Sequence, residues 1–165
     1  MTSALPLSVD LSGRVRQRRR RLWQAMAIAL SALFFFAGMA QAAERLAVSA
    51  DIANIRSGPG VGKDLLWQVE KYHPVLVVER RDGWVRFKDF EGDEGWISAA
   101  LLDDTPSVIV KVNRCNVRGG PGTAHPVRFT AERGIPFKVL GTQGDWIEVV
   151  HADGDRGWVL NTLIW

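Results

Sequence analysis

From Leu65 onward the chain alternates apolar and polar residues in short runs. Leu65–Val69, Pro74–Val78, Gly83–Phe87 and Glu94–Ile97 are rich in β-branched and aromatic side chains, and Gly, Pro and Asp punctuate them. Val127–Ala131, Pro136–Leu140, Asp145–Val149 and Arg156–Val159 repeat the pattern. No long stretch of this region has helical period. Asp82-Gly83, Glu91-Gly92-Asp93, Gly144-Asp145 and Asp153-Gly154-Asp155 read as hairpin turns, because Gly and Asp tolerate the positive φ that tight connections need. Five or so short strands joined by hairpins, in under 60 residues, predict a small all-β barrel, whose closure removes exposed strand edges.

The barrel is written twice. Sliding the sequence on itself gives a gapless register at an offset of 62 residues. Asn54-Ile55-Arg56-Ser57-Gly58-Pro59-Gly60 falls on Asn116-Val117-Arg118-Gly119-Gly120-Pro121-Gly122. Pro74 falls on Pro136, Trp84 on Trp146, Gly95-Trp96-Ile97 on Gly157-Trp158-Val159, and Leu101 on Leu163. Two units are too few for an open solenoid, so the expected architecture is two tandem closed barrels, 43–102 and 108–165. The polar stretch 103–107 is their linker.

The first 42 residues have a different character. Arginines 14, 16, 18, 19, 20 and 21 precede an almost unbroken apolar stretch from Leu22 to Met39, and Ala40-Gln41-Ala42 follows it. A charged region, an apolar region and a small-residue site in that order predict a helical signal segment, cleaved after Ala42. The alternative is an uncleaved anchor, since about 18 apolar residues approach the length that spans a bilayer. In either case the remainder lies outside the cytoplasmic membrane, and membrane contact is confined to the N-terminal segment.

The formal charge of +3 changes meaning once it is located. Residues 1–42 hold six of the 21 basic and one of the 18 acidic residues, which leaves the remainder with 15 and 17. A slightly acidic mature chain has no long-range attraction for phosphate backbones, so nucleic acid is not an expected partner. The single cysteine, Cys115, excludes an internal disulfide. It aligns with Ala53, which implies a small buried position without thiol chemistry. His73, His125 and His151 do not recur between repeats, and no metal-ligand spacing appears. No cofactor, metal or catalytic pair is expected.

These motifs together resemble the bacterial Src-homology-3 (SH3b) family. Its pattern is an Asn-hydrophobic-Arg-x-Gly-Pro-Gly loop, a Gly/Asp-Trp strand, and a closing Gly-Trp-hydrophobic strand that ends in Leu, and both repeats carry all three parts. The resemblance implies SH3-like β-barrels in an exported, periplasmic or envelope protein that binds peptidoglycan peptide or another envelope component without catalysis. The alternative partner is a periplasmic protein, for which the chain would be an adaptor.

The candidate ligand residues are Asn54, Arg56, Trp67, Tyr72 and Trp84 in the first repeat, with Asn116, Arg118 and Trp146 in the second. Strand alternation puts Trp84 on the side of Arg86, and Trp146 on the side of Glu148, away from Val85/Phe87 and Ile147/Val149. Exposed Trp beside a charged loop suits a peptide or sugar. Arg56 and Arg118 have two readings, as ties on loop carbonyls or as partners for ligand carboxylates. Gly58, Pro59 and Gly60, with Gly120, Pro121 and Gly122, read as structural turn residues, and Trp96 and Trp158 as core packing on the closing strand.

Overall fold

Ala53 and Ile55 alternate with Ile52, Asn54 and Arg56, and that period of two makes 52–56 a strand with one buried side. In the computed structural model, which describes residues 43–165, this strand is β2 (Ile52–Arg56). The expected signal segment lies outside the described residues. The first barrel also contains β1 (Arg45–Val48), β3 (Leu65–Glu70), β4 (Pro74–Arg81), β5 (Trp84–Lys88) and β6 (Glu94–Ser98). A 3-10 turn at Ala99–Leu101 leads into β7 (Leu102–Asp103). The second barrel is built from β8 (Ser107–Ile109), β9 (Arg114–Arg118), β10 (Val127–Glu132), β11 (Pro136–Gln143), β12 (Trp146–Val150) and β13 (Arg156–Leu160), followed by a 3-10 turn at Asn161–Leu163. Among the described residues no helix is long and apolar enough to cross a membrane.

Strand order is β3-β2-β6-β5-β4-β1-β7 in the first sheet and β10-β9-β13-β12-β11-β8 in the second. The offset of the sequence repeat survives as pairing register. Leu76 opposite Lys88 becomes Lys138 opposite Val150, and the irregularity between Val77 and Glu79 recurs between Val139 and Gly141. Val48 opposite Leu102 becomes the bridge between Val110 and Ile164. A β-bulge admits one extra residue and tightens the local twist, which helps a short sheet curl on itself. The hairpin between β4 and β5 turns on Asp82 and Gly83 at φ 49° and 79°, the pair of positive values that a type I′ turn requires.

Each sheet wraps its own core. Ile55, Val75, Val85, Phe87 and Ile97 fill the first, and Val117, Phe137, Val149 and Val159 the second, all fully buried. Each such side chain contributes about 1.5–3 kcal/mol by leaving water. Cys115 is buried beside Val117, as Ala53 is beside Ile55, and burial pushes its thiol pKa up.

Two sequence-based expectations change here. The Asn-x-Arg segments, read as loop, are the ends of β2 and β9, because their intervening Ile55 and Val117 are core residues. The linker is shorter than its polarity implies. Asp103 pairs with Ala47 in β7, and Ser107, 9% exposed, pairs with Lys138 in β8, so only 104–106 lie between strands. On the closing strands Ile97 and Val159 fill the barrel interiors, and the tryptophans beside them pack on the other face. Trp96, 8% exposed, lies on the opposite face under the Arg81 guanidinium, and Trp158 is half-buried on the same face.

The two barrels form one compact unit, Ala42–Trp165. Arg133 reaches Glu91 and lies 5.3 Å from the Phe90 ring, His151 lies 3.9 Å from Glu70, and the Arg45 guanidinium sits 3.9 Å above the Trp165 ring.

Candidate functional site

The outer faces of β2 and β5 supply polar and aromatic side chains because their inner faces are used up by the core. Trp84 pairs with Ser98 of β6, Arg86 with Trp96, and Arg56 also with Trp96, so these residues share one outer surface. A cleft of about 230 Å³ opens there, lined by Ile52, Asn54, Arg56, Val61, Trp84, Ser98 and Leu101. In the second barrel a cleft of about 350 Å³ is lined by Arg114, Asn116, Arg118, Thr123, Trp146, Leu160 and Leu163. Every lining residue of one stands 62 positions from a lining residue of the other.

The structure therefore brings Asn54, Arg56 and Trp84 together, and separately Asn116, Arg118 and Trp146. Arg56 Nη1 donates to the Lys63 carbonyl at 2.7 Å, and Arg118 Nη1 donates to those of Thr123 and His125 at 3.2 and 2.9 Å. One nitrogen of each guanidinium thus fixes the Gly-Pro-Gly loop beside the cleft. The other nitrogens are not bonded to that loop. The Asn54 carbonyl oxygen accepts from Gln68 Nε2 at 2.8 Å. Beside Trp84, Arg86 is held between Glu79 and Glu94, both at 3.1 Å, and leaves the Trp ring half-buried at the cleft wall.

Gly58 and Gly120 are closely packed. A Cβ on Gly120 would stand 2.7 Å from the His125 ring, and one on Gly58 would press on the Lys63 side chain at 3.2 Å. The positive φ of the motif belongs to Gly60 and Gly122, at 147° and 148°.

Trp67 and Tyr72 are not at the clefts. Trp67 packs against the first core with its ring edge-on to Phe87, centroids 6.4 Å apart, and lines a separate cleft beside Gln68, His73 and Phe90. Tyr72 occupies a tight turn at φ 68°, where the second repeat has Gly134 at φ 87°. Its role follows from the backbone: its N–H donates to the Val48 carbonyl at 2.7 Å.

Leu101 and Leu163, on the 3-10 turns, are cleft residues that the sequence reading left unassigned. Their recurrence at the common offset was the available signal. Ile52/Arg114, Val61/Thr123 and Ser98/Leu160 change identity between repeats, so no motif marks them. Among the described residues no cluster of His, Cys, Asp and Glu suits a metal ion.

Comparison with known proteins places this arrangement. YrvJ of Bacillus subtilis (strain 168), which carries the name of an N-acetylmuramoyl-L-alanine amidase, is 26% identical over 146 residues, covering 81% of this chain and 28% of its own length. LytH of Staphylococcus epidermidis, which carries the name of a cell wall amidase, is 40% identical over 60 residues, covering 36% of this chain and 21% of its own. The chain spans well under half the length of these curated relatives. A crystal structure of an NlpC/P60 family protein from Bacillus cereus ATCC 10987 aligns with 74% of this chain and 56% of its own, at 13% identity and a TM-score of 0.36. The family model described as bacterial SH3 domain matches residues 49–104 and again 111–165, and the protein belongs to that family.

Proposed function

We propose that the protein is an exported, non-catalytic envelope component whose two barrels hold peptidoglycan stem peptide, one site in each outer cleft. The observation that carries this reading is the recurrence of one Asn-Arg-Trp cleft at equivalent positions of both barrels. A docking surface for a protein partner would favour a single apolar patch running across both barrels, whereas small peptides suit a concave site in each. The amidase names of YrvJ and LytH, matched in this region, support a wall-directed role. Two weak sites on one compact unit strengthen overall binding when both reach ligand together.

The test is co-sedimentation of residues 43–165 with purified sacculi, beside the Trp84→Ala/Trp146→Ala double variant checked for folding by circular dichroism. Binding by the unmodified protein that the folded variant loses supports the proposal. Absence of binding by the unmodified protein overturns it and turns attention to a periplasmic protein partner.

A further inference from the structure

The two clefts share a plan but differ in charge. In the first, the unrepeated lining residues include Ile52 and Val61, 62% and 81% exposed. Their counterparts are Arg114 and Thr123. Arg114, Asn116 and Arg118 sit at alternate positions of β9 and so project from one face, with about 7 Å between successive members. No acidic residue lines this cleft. Glu132 pairs with Arg114 across the strands, yet the ion pairs among the described residues do not include Arg114. Arg118 is already anchored through Nη1, which holds its guanidinium plane at the cleft wall. Two guanidinium groups, an amide and an indole thus face a half-enclosed space. Guanidinium donors match a carboxylate, singly or bidentately, and Arg118 is already held in place for it.

We propose that the clefts have diverged in what they take: the second barrel holds a carboxylate between Arg114 and Arg118 against Trp146, and the first holds an uncharged segment whose apolar side chain rests on Ile52 and Val61. This rests on the reading of the clefts as peptide sites and adds the division of chemistry between them. Arg114 is exposed, so salt screens its charge and carboxylate binding in the second cleft weakens as ionic strength rises.

The experiment follows the indole N–H resonances of Trp84 and Trp146 separately, in residues 43–165, the compact unit with both cores. The probes are acetyl-Ala-Ala with a free C-terminal carboxylate, the same peptide as C-terminal amide, and acetyl-Ala-Glu-Ala amide, which offers a side-chain carboxylate. The expected result is that carboxylate probes shift Trp146 at lower concentration than the amide does, while Trp84 does not distinguish acid from amide. Whichever carboxylate probe acts at lower concentration identifies a terminal or a side-chain source. Arg114→Ile, which installs the first barrel's residue, should weaken carboxylate binding about tenfold and abolish the discrimination. Ile52→Arg should confer discrimination on Trp84, a gain that misfolding cannot produce. Equal response of Trp146 to acid and amide, no gain in Ile52→Arg, or no shift of either indole by any probe overturns the inference. A chain that still binds sacculi through Trp84 and Trp146 in that event keeps the wall-binding reading and loses only the division between clefts.

Discussion

Arg133 of the second barrel donates its Nε to Glu91 of the first across 2.9 Å, and the repeat makes these two positions equivalent to Lys71 and Asp153. The neighbours of those equivalents also meet, since Glu70 approaches His151 at 3.9 Å. The turn around 133 of one barrel faces the loop around 91 of the other, and the turn around 70 faces the loop around 151. Two copies of one module have thereby acquired a reciprocal contact, which fixes the outer clefts on a single unit instead of on beads joined by a free tether.

Both members of the Arg133–Glu91 pair are nearly half exposed, so the ion pair alone contributes about 0–1 kcal/mol. Arg133 does more, since it also donates to the Lys111 carbonyl and covers the Phe90 ring. Arg133→Ala should therefore cost about 1–2 kcal/mol in urea unfolding and Glu91→Ala under about 1, with a coupling below about 1 in the double-mutant cycle. Equal costs for the two single variants would show that the additional contacts of Arg133 contribute nothing.

His73 is 7% exposed, and its Nε2 has no hydrogen-bond partner. Burial lowers its pKa from 6.5 to about 4, against a smaller raising effect of Asp89. The unfolded chain thus takes up a proton that the folded chain refuses between those values. The associated stability is fully present above about pH 6.5 and is lost as pH falls toward 4, up to about 3 kcal/mol. His73→Ile, which borrows Ile135 from the second repeat, should remove this part of the acid sensitivity. Urea midpoints at pH 7 and pH 4.5 measure it, and an unchanged difference between the two pH values in the variant would refute it.

Gly157 is required by close approach. A Cβ there would lie 2.6 Å from the Arg118 carbonyl oxygen and 2.7 Å from Val117 Cγ1, and the backbone partner cannot rotate away. Gly157→Ala should cost about 1–3 kcal/mol through overpacking between β13 and β9. Gly62 has open space around its Cβ position and no positive φ, so Gly62→Ala should be neutral or stabilising by up to about 1 kcal/mol. Thermal melts of both variants check the contrast.

Much of this was legible in the sequence, and the reason is duplication. Rare residues held in step at 62 positions announce two equal domains, and the strand alternation around Trp84 and Trp146 puts both on an outer face. What stayed hidden depends on contacts that no local pattern encodes. Trp67 shares its strand side with the buried Val69, and the missing Cβ of Gly95 leaves room for its ring, since a Cβ there would stand 3.1 Å from its edge. Trp96 alternates with Gly95 and Ile97 to the outer face, where Arg81 covers it. The Asn-x-Arg segment looked like loop because Gly-Pro-Gly dominates its neighbourhood, although Ile55 and Val117 carry the strand period up to the turn.

Arg118 joins the two levels of this molecule, since one nitrogen holds the loop while the rest of the guanidinium faces the cleft. Arg118→Lys keeps the charge but replaces the planar guanidinium, whose Nη1 donates to both the Thr123 and His125 carbonyls, with an ammonium on a shorter stem. If the loop tie is its main structural duty, the variant should lose about 1 kcal/mol. Amide exchange should then quicken at Gly119 and His125, whose N–H groups close the loop on Pro126 and Gly122 at 2.9 and 3.3 Å. Arg56 makes one such bond instead of two, so Arg56→Lys, which can still reach the Lys63 carbonyl, should perturb its loop less. Faster exchange confined to 119–126 in the Arg118 variant, with the cores unchanged, would show that the loop depends on this residue for its shape. Unchanged exchange in both variants would show that the loops hold themselves, and would leave both guanidinium groups to the ligand.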